Sequence, residues 1–384
     1  MRDTHAATVG LDLGICYSFV YNKADQACRA RLIQGVEMEV SFRRVALNKR
    51  YPLRISRGEF SGSVNLFFSV RSGNLEGLGE AAPGSLIGTD TAELFQTELT
   101  SFLEDYPEAL DNPHEGWQLA RSAEVTSCAW AAVDIALWDL LAKRAQLPLY
   151  RLLGLPRRSV PTSVTVGILP PEVVRERVPE ILDRTGACYL KVKLGSPEGL
   201  DADQSMYAAV VEAARNRDVV VRVDANGGWD LAGASAMMRW LKERGCDYVE
   251  QPLHSDADDQ LPQLYSGRAL PIFVDESCRY ATDVSRLANC VDGVNLKLMK
   301  CGGITAALRI VAAARASGLG TMIGCMGESS DPIAAGASMA ALFDHIDLDS
   351  HLNLLPDPAA GLSMESGVVT VSEAAHGHGV ALTC

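Results

Sequence analysis

The sequence predicts an α/β protein: a (β/α)8-type, TIM-like barrel preceded by an N-terminal α+β capping domain. Three observations carry that expectation. First, charged residues end successive apolar, strand-like runs: Lys191 and Lys193 in YLKVKLG, Asp224 in VVVRVDANGG, Glu250 in CDYVEQPL, Asp275 in PIFVDES, Lys297 in GVNLKLMKCGG, and Asp347 with Asp349 in HIDLDS. From Lys191 the steps are 33, 26, 25, 22 and 50 residues, the last spanning one further run, TMIGCM. A parallel strand with its returning helix takes roughly 30 residues, and eight such units close a barrel whose functional groups stand at the C-terminal strand ends. Second, the stretches between these runs, such as ASAMMRWLKERG and TAALRIVAAARASG, space apolar residues three and four apart and end in glycine, as helices do. Third, the chain upstream is organised differently, with strand-like runs followed by helical ones rather than alternating with them.

Taken in order, residues 1–36 show no clear periodicity and form an N-terminal extension without an assigned role. The capping domain is expected over 37–155. It begins with an antiparallel strand in the alternating VEMEVSFRRVALN, passes through a loop around RYPLRISRGEF, and continues with strands in SVNLFFSVRSG and LEGLGEAAP. Helices are expected in TAELFQTELTSFLEDYP and AEVTSCAWAAVDIALWDLLAKRAQ. The prolines and glycine of PLYRLLGLPRRSVPTSV mark the boundary to a barrel over 156–362. Its strands are TSVTVGIL (162–169), CYLKVKLG, DVVVRVDAN, CDYVEQP, LPIFVDES, DGVNLKLM, GTMIGCM and HIDLDS. A C-terminal segment, 363–384, returns to the capping domain. No GxGxxG or GxxxxGK[ST] follows an early strand, which disfavours a dinucleotide or nucleoside triphosphate site.

Composition narrows the function. Of 384 residues, 47% are hydrophobic, enough for a sizeable core, and the mean hydropathy is +0.05. The net charge of −13 argues against nucleic acid, whose phosphates require a basic face. No apolar run approaches the ~20 residues that cross a bilayer, and MRDTHAATVGLDLG lacks a signal-peptide plan. A cytoplasmic enzyme is expected, with no membrane partner. The ten cysteines, without CxxC spacing, read as free and mostly buried thiols. Cys301 and Cys325 fall near strand ends but have no Cys or His partner at zinc-ligand spacing.

Asp224, Glu250 and Asp275 end three successive strands, so a closed barrel would turn three carboxylates toward one small volume. Like charges so close repel strongly unless a cation joins them. Oxygen ligands without His or Cys favour Mg²⁺. Lys191 and Lys193, two apart, share one strand face, and Lys297 comes from the far side of the barrel. Burial lowers a lysine's pKa and makes it a usable base. A lysine on each face of the α-carbon of a metal-held carboxylate would remove a proton from one side and return it on the other, through an enediolate that the metal stabilises.

The set KVK, DAN, VEQP, VDES and NLKLMKCGG, closed by a DxD, resembles the enolase superfamily, its muconate-lactonizing-enzyme subgroup, and within that the dipeptide epimerases. The resemblance runs from about residue 37 to the C-terminus. It implies Asp224, Glu250 and Asp275 as Mg²⁺ ligands and Lys193 with Lys297 as the catalytic pair. Lys191 would help hold the substrate carboxylate, while Lys300 belongs to the following loop. Asp347 and Asp349 would hold the ammonium of a dipeptide epimerised at the α-carbon of its C-terminal residue. Arg57 falls in the loop that closes over substrate and matches an arginine that in some members meets an acidic second residue. Thr165 and Glu328 match pocket-lining positions. Alternatives on the same scaffold are an N-acylamino acid racemase, an o-succinylbenzoate synthase and a muconate-type cycloisomerase. From other classes come a non-catalytic binding barrel and a Schiff-base lysine enzyme. The expected partners are a small-molecule substrate and further copies of the chain, as a homo-oligomer.

Overall fold

The computed structural model describes residues 38–83 and 90–383 in full, and before them the backbone of three short strands. Those strands are β1 (Ala6–Gly10), β2 (Cys16–Asn22) and β3 (Ala27–Leu32). They fall in the stretch for which no periodicity is expected. At five to seven residues each is too short for its alternation to register in a wider window. They pair antiparallel and extend a sheet in the order β1-β2-β3-β4-β5-β6.

Met38, Val40 and Phe42 alternate inward on β4 (Glu37–Ile55) and start the capping core. The expected loop at RYPLRISRGEF is instead the end of a long hairpin with β5 (Gly58–Ser72). Proline cannot donate to a ladder, and Pro52 is accommodated because the register shifts between Asn48 and Leu53. The sheet closes on β6 (Leu75–Ala81). Helices α1 (Ala92–Asp105), α2 (Pro113–Ser122) and α3 (Ser127–Arg144) follow. Sequence reading misses α2, whose DNPHEG start resembles a turn. Asn112 caps it and Pro113 takes its first position. Helix α3 is buried on nearly every side, between the capping sheet and the barrel. Strand β6 approaches it closely: a Cβ on Gly79 would lie 2.1 Å from Ala132 O.

Short helix α4 (Leu149–Leu152) leads into the barrel. Its strands are β7 (Ser163–Val166), β8 (Tyr189–Lys193), β9 (Val220–Asp224), β10 (Val249–Glu250), β11 (Ile272–Val274), β12 (Gly293–Lys297), β13 (Gly320–Gly324) and β14 (His345–Asp347). They are parallel and neighbour one another in sequence order, and a parallel bridge between Thr162 and Ile346 brings the last round to the first. Between them run α5 (Pro171–Thr185), α6 (Leu200–Ala213), α7 (Leu231–Lys242), α8 (Leu261–Ser266), α9 (Ala281–Leu287), α10 (Leu298–Cys301), α11 (Ile304–Ala316) and α12 (Ser330–Ser338). Register sets the functional layer, pairing Lys193 with Asp224, Asp224 with Glu250, Lys297 with Gly324, and Gly324 with Asp347. Among the described residues no helix is long and apolar enough to cross a membrane.

The chain's end forms strands β15 (Ala359–Ala360), β16 (Leu362–Glu365), β17 (Val368–Val371) and β18 (Ala381–Leu382), paired as two small sheets. It touches the capping domain through His378, whose main-chain N donates to Asp139 on α3.

Asp134, also on α3, accepts from Thr305 N across the interface with α11 at 3.0 Å. Burial raises its carboxyl to about 7, against the hydrogen bonds from Thr305. The folded state therefore binds this proton more tightly than the unfolded chain does. The resulting stability is present below the ordinary aspartate range and lost as pH rises to about 7. The Asp134→Asn variant should lack this component, which is on the order of a few kcal/mol. Thermal melts from pH 4 to pH 8 check it, and parallel profiles for the two proteins would refute the assignment.

Candidate active site

A cavity of about 520 Å³ lies between the β4–β5 hairpin and the C-terminal ends of the barrel strands. Leu53, Ile55, Phe60 and Val64 contribute an apolar wall from the hairpin. Lys193, Asp275, Lys297, Asp347 and Asp349 face it from the barrel. The sheet alternates side chains, so residues two apart on β8 point the same way. Lys191 is accordingly buried directly beneath Lys193.

Four lysines are interleaved with the acids. Lys191 Nζ lies 2.5 Å from Asp347 Oδ2, 2.7 Å from Glu250 Oε2 and 3.4 Å from Asp224 Oδ2. Lys193 pairs with Asp224 Oδ2 at 2.6 Å, and Lys297 with Asp275 Oδ2 at 2.7 Å. Lys300 lies 2.5 Å from Asp275 Oδ1. It also donates to the carbonyls of Asp275, Cys278 and Asn295. Lys300 is therefore a buried anchor of Asp275, in α10 rather than in a loop. Its position seven residues after the start of an apolar run hides this role, because only the tertiary fold returns it to β11.

For Lys191 and Lys297 these pairings correct the expectation that burial lowers a lysine. Burial alone would lower Lys191, but Asp347, Glu250 and Asp224 outweigh it and hold the ammonium well above the ordinary lysine range. Lys297 is raised in the same way, with Asp275 overcoming desolvation. The acids divide according to their partners. Burial pushes Glu250 up to about 7, aided by Asp224 beside it. Burial also opposes ionisation of Asp224 and Asp275, yet Lys193 with Lys191, and Lys297 with Lys300, hold these two below the usual carboxylate range.

Among the described residues, no group of three or more His, Cys, Asp or Glu side chains is already gathered to hold a metal ion. The lysine ammoniums instead lie among the carboxylates. The donor set nevertheless fits a hard cation, since Asp224, Glu250 and Asp275 are almost wholly buried and supply only oxygen. Glu250 Oε2 and Asp275 Oδ1 each meet a lysine ammonium, at 2.7 and 2.5 Å, and no other donor.

The remaining residues named from sequence occupy different surroundings. Asp347 ends β14, and Asp349 follows it with Oδ2 accepting from Thr165 N at 2.7 Å. Burial, with Asp347 adjacent, raises Asp349 to about 6. Thr165, Asp347 and Asp349 all line the cavity. Arg57 lines it too, at the hairpin tip, with Nη1 2.6 Å from Glu276 Oε1 and 3.4 Å from Asn226 O. Glu328, expected in the lining, is not among the lining residues and is 2% exposed. Its Oε1 accepts from Met326 N, and burial raises it to about 8. Glu276 and Asn226 escape sequence reading, although DES and DAN contain them.

The N-terminal domain model of the mandelate racemase / muconate lactonizing enzyme family matches residues 37–154, and an enolase C-terminal domain-like model matches 173–383. The chain is 59% identical over 346 residues to a hydrophobic dipeptide epimerase of Roseobacter litoralis, covering 90% of this chain and 99% of that protein. It is 52% identical over 345 residues to a hydrophobic dipeptide epimerase of a Flavobacteria bacterium, covering 90% and 98% respectively. Among solved structures it resembles a dipeptide epimerase of Enterococcus faecalis complexed with Mg and L-Leu-L-Tyr. That match has a TM-score of 0.81 and 32% identity, and covers 89% of this chain and 98% of that one.

Proposed function

The chain belongs to the mandelate racemase / muconate lactonizing enzyme family of the enolase superfamily, and from that premise we propose that it is a Mg²⁺-dependent dipeptide epimerase. It inverts the α-carbon of the C-terminal residue. The observation that carries this reading is the facing of Lys193 and Lys297 across one cavity, above buried carboxylates and beside the Asp347–Asp349 pair. Epimerase relatives at 59% and 52% identity support it.

Asp224, Glu250 and Asp275 would hold the cation, which when bound would supply positive charge to stabilise a substrate carboxylate that gains electron density. Lys193 and Lys297 come from β8 and β12, four strands apart in the barrel order, and meet the α-carbon from opposite faces. One accepts the α-proton while the other donates a proton to the far side, and their roles exchange for the reverse reaction. Either lysine must first give up its carboxylate partner, Asp224 for Lys193 and Asp275 for Lys297. Lys191, buried and held by Asp347, Glu250 and Asp224, adds a fixed positive charge behind the substrate carboxylate, and Asp347 with Asp349 receive the free amino terminus. The apolar hairpin wall of Leu53, Ile55, Phe60 and Val64 suits uncharged side chains and excludes water from the reacting carbon.

Incubating a dipeptide library in heavy water tests the reading. Deuterium should enter the α-carbon of the second residue of dipeptides with apolar side chains. Exchange into N-acylamino acids but into no dipeptide would transfer the assignment to a racemase.

The ammonium site gives a separate expectation. A charge-assisted hydrogen bond contributes about 1.5–3 kcal/mol, so removing two by Asp347→Asn with Asp349→Asn should lower kcat/KM by a factor on the order of 10² to 10⁴. N-acetylating the dipeptide should cost the wild type a similar factor and the double variant little more. Additive losses would separate these acids from the amino terminus, and better turnover of acetylated substrate would overturn the epimerase reading.

A further inference from the structure

Carboxylates that receive a cation need groups behind them that fix their orientation. Asn295 stands two residues before Lys297 on β12, so both side chains project to the same face, and Asn295 is fully buried. Its Nδ2 donates to Glu250 Oε1 at 2.7 Å. Its main-chain carbonyl accepts from Lys300 Nζ at 3.0 Å, and the same ammonium lies 2.5 Å from Asp275 Oδ1. One residue of β12 is thus linked to carboxylates carried by the ends of β10 and β11. Glu250 Oε2 meets the Lys191 ammonium at 2.7 Å, so the Asn295 amide is the neutral donor that orients this carboxylate from its other oxygen. The neighbouring strand leaves space for it: a Cβ on Gly324 would lie 2.9 Å from Asn295 Nδ2.

We propose that Asn295 is a positioning residue for the metal site: it holds Glu250 by Oε1, so that Oε2 can exchange its Lys191 partner for the cation, and braces the Lys300 anchor of Asp275. This rests on the metal-dependent reading above. A neutral amide suits the task because it orients the carboxylate without placing another positive charge against the incoming cation. Lys300 does place one, so deleting Lys300 would mix lost orientation with relieved repulsion. Asn295 separates the two effects.

The test measures Mn²⁺ dissociation constants by calorimetry, together with apo melting temperatures, for the wild type and for Asn295→Leu, which is close in shape but lacks the donor. Asn295→Val, a residue that suits a strand, replaces it should leucine not fold. The expected result is Mn²⁺ binding weakened about 10- to 100-fold, the range for loss of a group that orients a metal ligand. A lowered melting temperature with an unchanged dissociation constant would show a purely structural role and overturn the proposal. Absence of Mn²⁺ binding in the wild type would remove the metal reading and this inference together. Wild-type binding with an unaltered variant would remove this inference alone.

Discussion

Lys297→Ala should abolish interconversion of the two dipeptide epimers yet leave exchange of the α-proton in one of them. Lys193, on the opposite wall, still removes a proton from its own face and returns solvent hydrogen there. Lys193→Ala should show the mirror behaviour, with exchange in the other epimer. Loss of a positioned acid or base costs about 10² to 10⁴ in rate, and inversion needs both lysines, so the epimerisation loss should lie at the upper end or beyond. The charge arrangement sharpens the expectation. Lys297 is paired with Asp275 Oδ2 at 2.7 Å, but Asp275 keeps Lys300 at Oδ1 when Lys297 is removed. The carboxylate therefore retains a cationic partner and the site is not left with an isolated buried charge. Proton NMR in heavy water, following each epimer separately, distinguishes exchange from inversion. If either single variant inverts both epimers at the wild-type rate, two-base transfer is wrong.

The parts of this fold that could be read from sequence are those governed by local repetition. Six of the eight barrel strands, all but β7 and β13, are short runs closed by a charge, and Asp224, Glu250, Asp275 and Lys297 stand where that pattern ends. The β4–β5 hairpin could not be read so, because Pro52 and the arginines around it give the composition of a loop. What makes it a strand is a register shift that only pairing with β5 reveals. The charge states were equally hidden. Periodicity puts Lys191 and Lys297 in the interior, but which carboxylate each one meets depends on contacts up to 156 residues apart in sequence. Lys300 and Asn295 show the same limit. Both belong to the NLKLMK segment, yet their partners are on β10 and at the end of β11. Glu328 errs in the other direction. The residue after Gly327 in GCMGESS does not line the cavity, and its carboxylate accepts from Met326 N.

Asp224→Asn should lower turnover by about 10³-fold or more, the scale expected when the principal stabiliser of developing negative charge is lost. The substitution acts in two ways. It removes a charge from the set that would hold the cation, and it deprives Lys193 of the carboxylate 2.6 Å from its ammonium. Saturating Mg²⁺ offsets only the first, so activity should recover in part and never to the wild-type level. Metal removal separates the contributions further. Excess chelator should abolish wild-type activity, and added Mg²⁺ should restore it fully, because the three carboxylates and their lysines remain in place. A ligand that binds only the folded state stabilises it by about 2.7 kcal/mol at a hundred times its dissociation constant, so Mg²⁺ should raise the wild-type melting temperature. The same concentration should raise that of Asp224→Asn far less. Full wild-type turnover in excess chelator would sink the assignment of Asp224, Glu250 and Asp275 as a metal site. An Asp224→Asn variant that loses activity but keeps the full Mg²⁺-induced rise would instead confine Asp224 to holding Lys193.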